Sequence, residues 1–197
     1  MTTKMEKLIF VREEAEFEVV RATGSSRKKE EEKEMNDSDD EETLILCFCV
    51  PGNPGVPEYY SNFTRALREA LLTKGGGGGK NVVVECVGFL GHYADGSLTR
   101  SGTRWFTLEE QQAHVLKYVR SRVEEEKKKE QKENACACFL VGHSIGAHVA
   151  LHALNEMRSE EVTKMVGLMP FLHVNERSTV QKFLAWLVSQ RVVVRVV

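Results

Sequence analysis

The chain has 197 residues, 42% of them hydrophobic, with 27 Lys and Arg against 29 Asp and Glu, which suits one globular domain with a core of its own. Only 15 Gly and 4 Pro exclude fibrous and wholly disordered classes. A net charge of -2 removes the electrostatic case for a nucleic-acid partner, which calls for a basic stripe or a clearly basic domain.

The N-terminal MTTKMEKLIFVREEAEF holds no apolar run of signal-peptide length, and no segment reaches the about 18 apolar residues of a transmembrane helix. An intracellular protein is the expectation, and the Asn62-Phe63-Thr64 sequon then has no secretory route to a glycan. Residues 8–11 and the alternation over 14–19 predict a β-hairpin or two edge strands. The charged stretch at about 24–42 reads as a solvated, disordered loop. Residues 43–50 (TLILCFCV) are apolar on both faces, as a central parallel strand covered by helices requires. The turn PGNPGVP follows. A helix starts near Pro57, with Tyr60, Phe63, Leu67, Ala70 and Leu71 spaced along one side.

The glycine run 75–79 reads as a flexible loop and not a phosphate cradle: Lys74 stands where that motif needs Gly, and Asn81 where it needs Ser or Thr. Residues 81–87 form the next buried strand, followed by a loop with Gly91, His92 and Tyr93. Thr107 caps a helix reaching about Val123, and the charged segment 124–133 continues it or frays from it. Residues 135–141 form a third buried strand, and a helical pattern runs from Ile145 to about Met157. Residues 163–169 read as one more buried strand, and 178–190 as a last helix. Strands alternating with helices imply parallel strands joined by helical crossovers, an α/β fold in a single domain spanning 1–197.

Five cysteines, Cys47, Cys49, Cys86, Cys136 and Cys138, lie inside the apolar strands and read as buried reduced thiols. A pair such as CFC inside a strand sends both thiols to one face and offers no loop to wrap an ion, so no metal site is expected. No cofactor is expected either.

Gly142-His143-Ser144-Ile145-Gly146 fits G-x-S-x-G between a buried strand and a helix, the context that places the serine on a sharp, exposed turn. The helix N-terminus there favours developing negative charge. Pro51-Gly52-Asn53-Pro54-Gly55 follows an earlier buried strand and can supply a second N–H beside that of Ile145. The prolines cannot donate, which leaves Gly52, Asn53 and Gly55.

PGNPG followed by Tyr59, Tyr60 and Phe63, then Gly91-His92, then GHSIG, resembles the lipid droplet-associated hydrolases of the α/β-hydrolase superfamily over roughly 44–170. The resemblance implies a mostly parallel α/β-hydrolase sheet with helices on both faces. It also implies a serine hydrolase of lipid esters, sterol or other neutral, acting peripherally at the cytoplasmic face of lipid droplets. It maps Ser144 to the nucleophile and Asn53, with Ile145, to the oxyanion hole; Gly52 and His92 are candidate pocket residues.

In this fold an Asp or Glu and then a His follow the serine. No Asp follows Ser144. His148 and His152 lie within the next helix and project sideways, and His173 with Glu176 comes too early in the chain. His143 is expected to point away from Ser144, and His114 to pack or face solvent. The chain therefore reads as a C-terminally shortened α/β-hydrolase lacking the last strands, which leaves the strand at 163–169 an exposed edge. Its alternative function is binding to a droplet or a partner without turnover. Phe183, Leu184, Trp186, Leu187 and Val188 either lie in a lipid interface or pack on the sheet.

Overall fold

The computed structural model describes residues 3–12, 15–24, 44–74, 81–94, 105–130, 136–157, 161–172, 175 and 177–189. The charged stretch is outside these residues, apart from Gly24, as are the glycine run and the pair His173 and Glu176. The elements are β1 (Thr3–Arg12), β2 (Ala15–Gly24), β3 (Leu44–Val50), a 3-10 turn (Pro57–Tyr60), α1 (Ser61–Lys74), β4 (Val82–Val87) and α2 (Leu108–Glu130). They continue with β5 (Cys136–His143), α3 (Ile145–Glu156), β6 (Lys164–Leu168) and α4 (Thr179–Ser189).

Six strands form one sheet in the order β1-β2-β4-β3-β5-β6. β1 and β2 pair antiparallel over their full length, and β2 pairs antiparallel with β4. β4, β3, β5 and β6 are mutually parallel. The predicted hairpin is present and longer than its pattern suggested; β1 is the edge, and β2 is interior because β4 covers its other side.

Side-chain alternation divides the apolar residues of the central strands between two layers. Leu46, Phe48 and Val50 of β3, with Leu140 of β5, pack against Val115 and Val119 of α2 and Val149 and Ala153 of α3. Cys47, Cys49, Val82, Val84 and Cys86 face the opposite way, toward Leu67 and Leu71 of α1. This double cover is why both parities of β3 had to be apolar. It also makes Cys47 and Cys49 neighbours on one face, as their spacing predicts. All five cysteines are free, and four are buried.

Thr107 caps α2 as expected, and the capping is reciprocal: the Glu110 N–H donates to Thr107 Oγ1 at 3.3 Å while the Thr107 N–H donates to Glu110 Oε2 at 2.8 Å. The charged segment continues this helix to Glu130. Arg122 pairs with Glu125 and Glu126, and Glu126 with Lys129, at helical spacing.

Of the two expectations for the strand at 163–169, buried or an exposed edge, β6 meets the second: Lys164, Val166 and Gly167 are exposed. Among the described residues β6 pairs only with β5, so its apolar composition marks a sheet edge. α4 forms at the predicted place and exposes Val180, Phe183 and Trp186.

Candidate functional site

The parallel strands β3, β4 and β5 all end at the same edge of the sheet, where open α/β sheets gather ligand-binding loops. At the end of β5, Ser144 is held at φ 52° and ψ -122°, a left-handed backbone that costs an L-residue about 1–3 kcal/mol. A serine before a helix ordinarily caps it with its hydroxyl; Ser144 makes no such bond. Its hydroxyl is thereby left at a helix N-terminus, where the first amides lack intrahelical partners.

Packing shows why glycine stands on both sides. A Cβ at Gly142 would lie 2.4 Å from Ala147 Cα, and one at Gly146 would lie 2.3 Å from the carbonyl oxygens of Val50 and Pro51. The turn can be this tight only because α3 starts directly against β5 and against the end of β3. Its backbone is also clamped by the chain beyond β6. The Ser144 N–H donates to the Leu168 carbonyl, and the Ser144 carbonyl accepts the N–H groups of Ala147 and Phe171, all at 3.0 Å. Met169 takes a second left-handed conformation, φ 43°, between these clamps.

The loop after β3 meets this turn. A Cβ at Gly52 would sit 3.0 Å from Ser144 Cβ and 2.9 Å from His143 Nδ1, so the Gly52 backbone lies directly beside Ser144. Asn53 follows it, exposed, with a cis peptide to Pro54. Gly55 lies under the Phe89 ring, where any Cβ would overlap it, and its carbonyl accepts the Phe89 N–H at 2.8 Å.

Of the expected site residues, Ser144, Ile145 and Gly52 converge, with Asn53 adjoining them. Gly52 does not offer its amide, however: its N–H donates to the Tyr60 hydroxyl at 2.9 Å. The candidate donors thus narrow to Asn53 and Gly55 beside Ile145. His92 packs edge-on against Phe89, with ring centroids 5.9 Å apart, and so joins the loop through Phe89 and Gly55. Burial holds the His92 imidazole below its ordinary value of 6.5. His148 and His152 are half-buried on α3, and among the described residues no side chain is hydrogen-bonded to the Ser144 hydroxyl. His114, one of the two roles left open for it, is packed: it is buried against Phe17, and its Nε2 lies 3.1 Å from the Gly88 carbonyl. Among the described residues no cluster of three metal-ligating side chains occurs, and no helix is long and apolar enough to cross a membrane.

Two residues at the site were not singled out as site residues from the sequence. His143 leaves the sheet on the α1 side, continuing the parity of Phe139 and Val141, and its Nδ1 lies 2.6 Å from the Tyr60 hydroxyl. Tyr60 ends the 3-10 turn and bridges His143 and Gly52. The one signal for it was its place behind PGNPG.

A model of the lipid-droplet associated hydrolase family matches residues 43–197. No curated protein matches the chain. Among solved structures the chain is similar to an esterase from Pyrococcus furiosus, with 15% identity and a TM-score of 0.51, covering 95% of this chain and 59% of that one. It is also similar to a peroxisomal α/β-hydrolase from Saccharomyces cerevisiae, with 14% identity and a TM-score of 0.50, covering 89% and 45%. An arylesterase structure is similar at 14% identity and a TM-score of 0.51, covering 89% and 48%. The chain spans about half the length of the structures it matches. The likeness is one of fold: the mixed sheet with helices on both faces is that of the α/β-hydrolases.

Proposed function

Because the chain belongs to the lipid-droplet associated hydrolase family, we propose that it is a carboxylic ester hydrolase of sterol or other neutral lipid esters, working at the cytoplasmic face of lipid droplets with Ser144 as nucleophile. The observation that carries this reading is the backbone of Ser144: left-handed, at a helix start, its hydroxyl withheld from capping. Ser144 Oγ bonds to the ester carbonyl carbon, and the negative charge that gathers on the carbonyl oxygen is met by the N–H groups of Ile145 and Asn53. The C–O bond to the alcohol then breaks, the alcohol departs with the proton that Ser144 gave up, and water releases the acid and restores the hydroxyl. Gly52 and His92 line the approach. The exposed Phe183 and Trp186 on α4, with ring centroids 5.9 Å apart, supply an apolar face that suits a lipid surface.

The test is labelling of the purified chain by a fluorophosphonate. Wild type is expected to label and Ser144→Ala not to; equal labelling of both would remove Ser144 as an activated nucleophile. A second reading, retention on droplets or a partner without turnover, draws on the exposed Phe183 and Trp186 of α4. Ester hydrolysis by the 197-residue chain that disappears in Ser144→Ala would exclude it.

A further inference from the structure

Building on Ser144 as the proposed nucleophile, we infer that Tyr60 is a positioning residue whose hydroxyl pins the loop after β3 to the turn after β5. The pin is a chain of two hydrogen bonds. The Gly52 N–H donates to the Tyr60 hydroxyl oxygen at 2.9 Å. The phenol proton then needs an acceptor, and His143 Nδ1 is 2.6 Å away. The proposed pin has the phenol donating to His143 Nδ1, the tautomer with the ring proton on Nε2.

Tyr60 is itself rigidly supplied. The preceding Pro57 is buried, and a Cβ at Gly88 would lie 2.7 Å from its Cδ. Glu58 of the same turn pairs with Lys7 of β1 at 2.7 Å. The hydroxyl thus connects the 3-10 turn, the loop residue next to Ser144 Cβ, and the residue before Ser144. It also reserves the Gly52 amide. The oxyanion donors must then come from the residues after Gly52, and the Asn53 amide is placed by a neighbour that cannot slide. Without the hydroxyl, a buried N–H and a ring nitrogen lose their partner together, and the loop is released from its register with Ser144.

Tyr60→Phe keeps the ring and removes the pin. Its rate of phosphonylation by a fluorophosphonate is expected to fall about tenfold to hundredfold, as a misplaced loop costs, with the KM for a short soluble ester little changed. Tyr59→Phe, at an exposed neighbour, should leave both unchanged. The nitrogen NMR spectrum of His143 gives a readout that needs no turnover: Nδ1 appears as a hydrogen-bonded acceptor in the wild type and moves toward a free ring nitrogen in Tyr60→Phe. Equal phosphonylation rates for wild type and Tyr60→Phe would overturn the positioning role, and an unchanged imidazole spectrum would overturn the pin. If the wild type itself does not label, the reading of Ser144 falls, and the spectrum alone decides the pin.

Discussion

A residue's chemistry here follows from where its backbone is forced to go. Ser144 is held in a left-handed conformation by bonds to Leu168 and Phe171, so the strain is balanced by contacts outside its own turn. The motif was legible because its glycines report those close approaches in sequence. The Tyr60 bridge was not: its partners are 8 and 83 residues away, and no local pattern encodes that meeting. His92 gives a pH prediction. Burial lowers its folded value below the ordinary 6.5, so in acid the unfolded chain takes up this proton first. Stability is therefore whole above that value and declines as the pH falls below it toward the folded one. Urea midpoints measured from about pH 7 to about pH 5 are expected to fall less steeply in His92→Asn than in the wild type; identical slopes would show that His92 does not titrate differently on folding.

At the scale of elements, a buried ionic cluster ties the sheet to a helix. Glu85 of β4 is 1% exposed and meets Arg21 of β2 at 2.6 Å and Arg122 of α2 at 3.3 Å. Tyr118 of α2 donates to its other oxygen at 3.0 Å. Burial, and then the adjacent carboxylate charge, push the Tyr118 phenol up, which keeps it a donor. One side chain thus joins the N-terminal hairpin, the parallel strands and a helix. Replacing one member of such a set strands the others, so Glu85→Gln is expected to cost about 3 kcal/mol in urea unfolding; a loss below about 1 kcal/mol, the worth of an exposed pair, would mean that solvent screens the cluster. The sequence displays Glu85 only as a charge interrupting VVVECV. That the interruption is a junction depends on α2 crossing above β4, which periodicity cannot convey. Periodicity did convey both faces of β3 and the start of α2, because there the cause is local alternation and a local cap.

For the whole molecule, the arrangement of strands was legible where each strand is covered on both faces, whereas at β6 the local pattern left burial and an exposed edge both open. A run such as KMVGL looks the same whether one neighbour or two flank it. With Val166 47% exposed and one partner strand among the described residues, β6 offers unpaired backbone to a second molecule. The 197-residue chain is expected to associate as its concentration rises, and Val166→Lys to shift it toward monomer in light scattering; a wild-type monomer at high concentration would show the edge to be protected. The topology also assigns different duties to the two ends of the sheet. Residues 51–60, 88–94 and 144–147 belong to the end where β3, β4 and β5 finish. The charged stretch after Gly24 and the glycine run after Lys74 instead return the chain to the beginnings of β3 and β4. Added length costs little in closure entropy, and the described residues that flank these stretches, Gly24, Leu44 and Val82, are at the end of the sheet opposite Ser144. Peptide tags, fluorophores or whole partner domains spliced in between those flanking residues are therefore expected to leave the geometry around Ser144 unchanged.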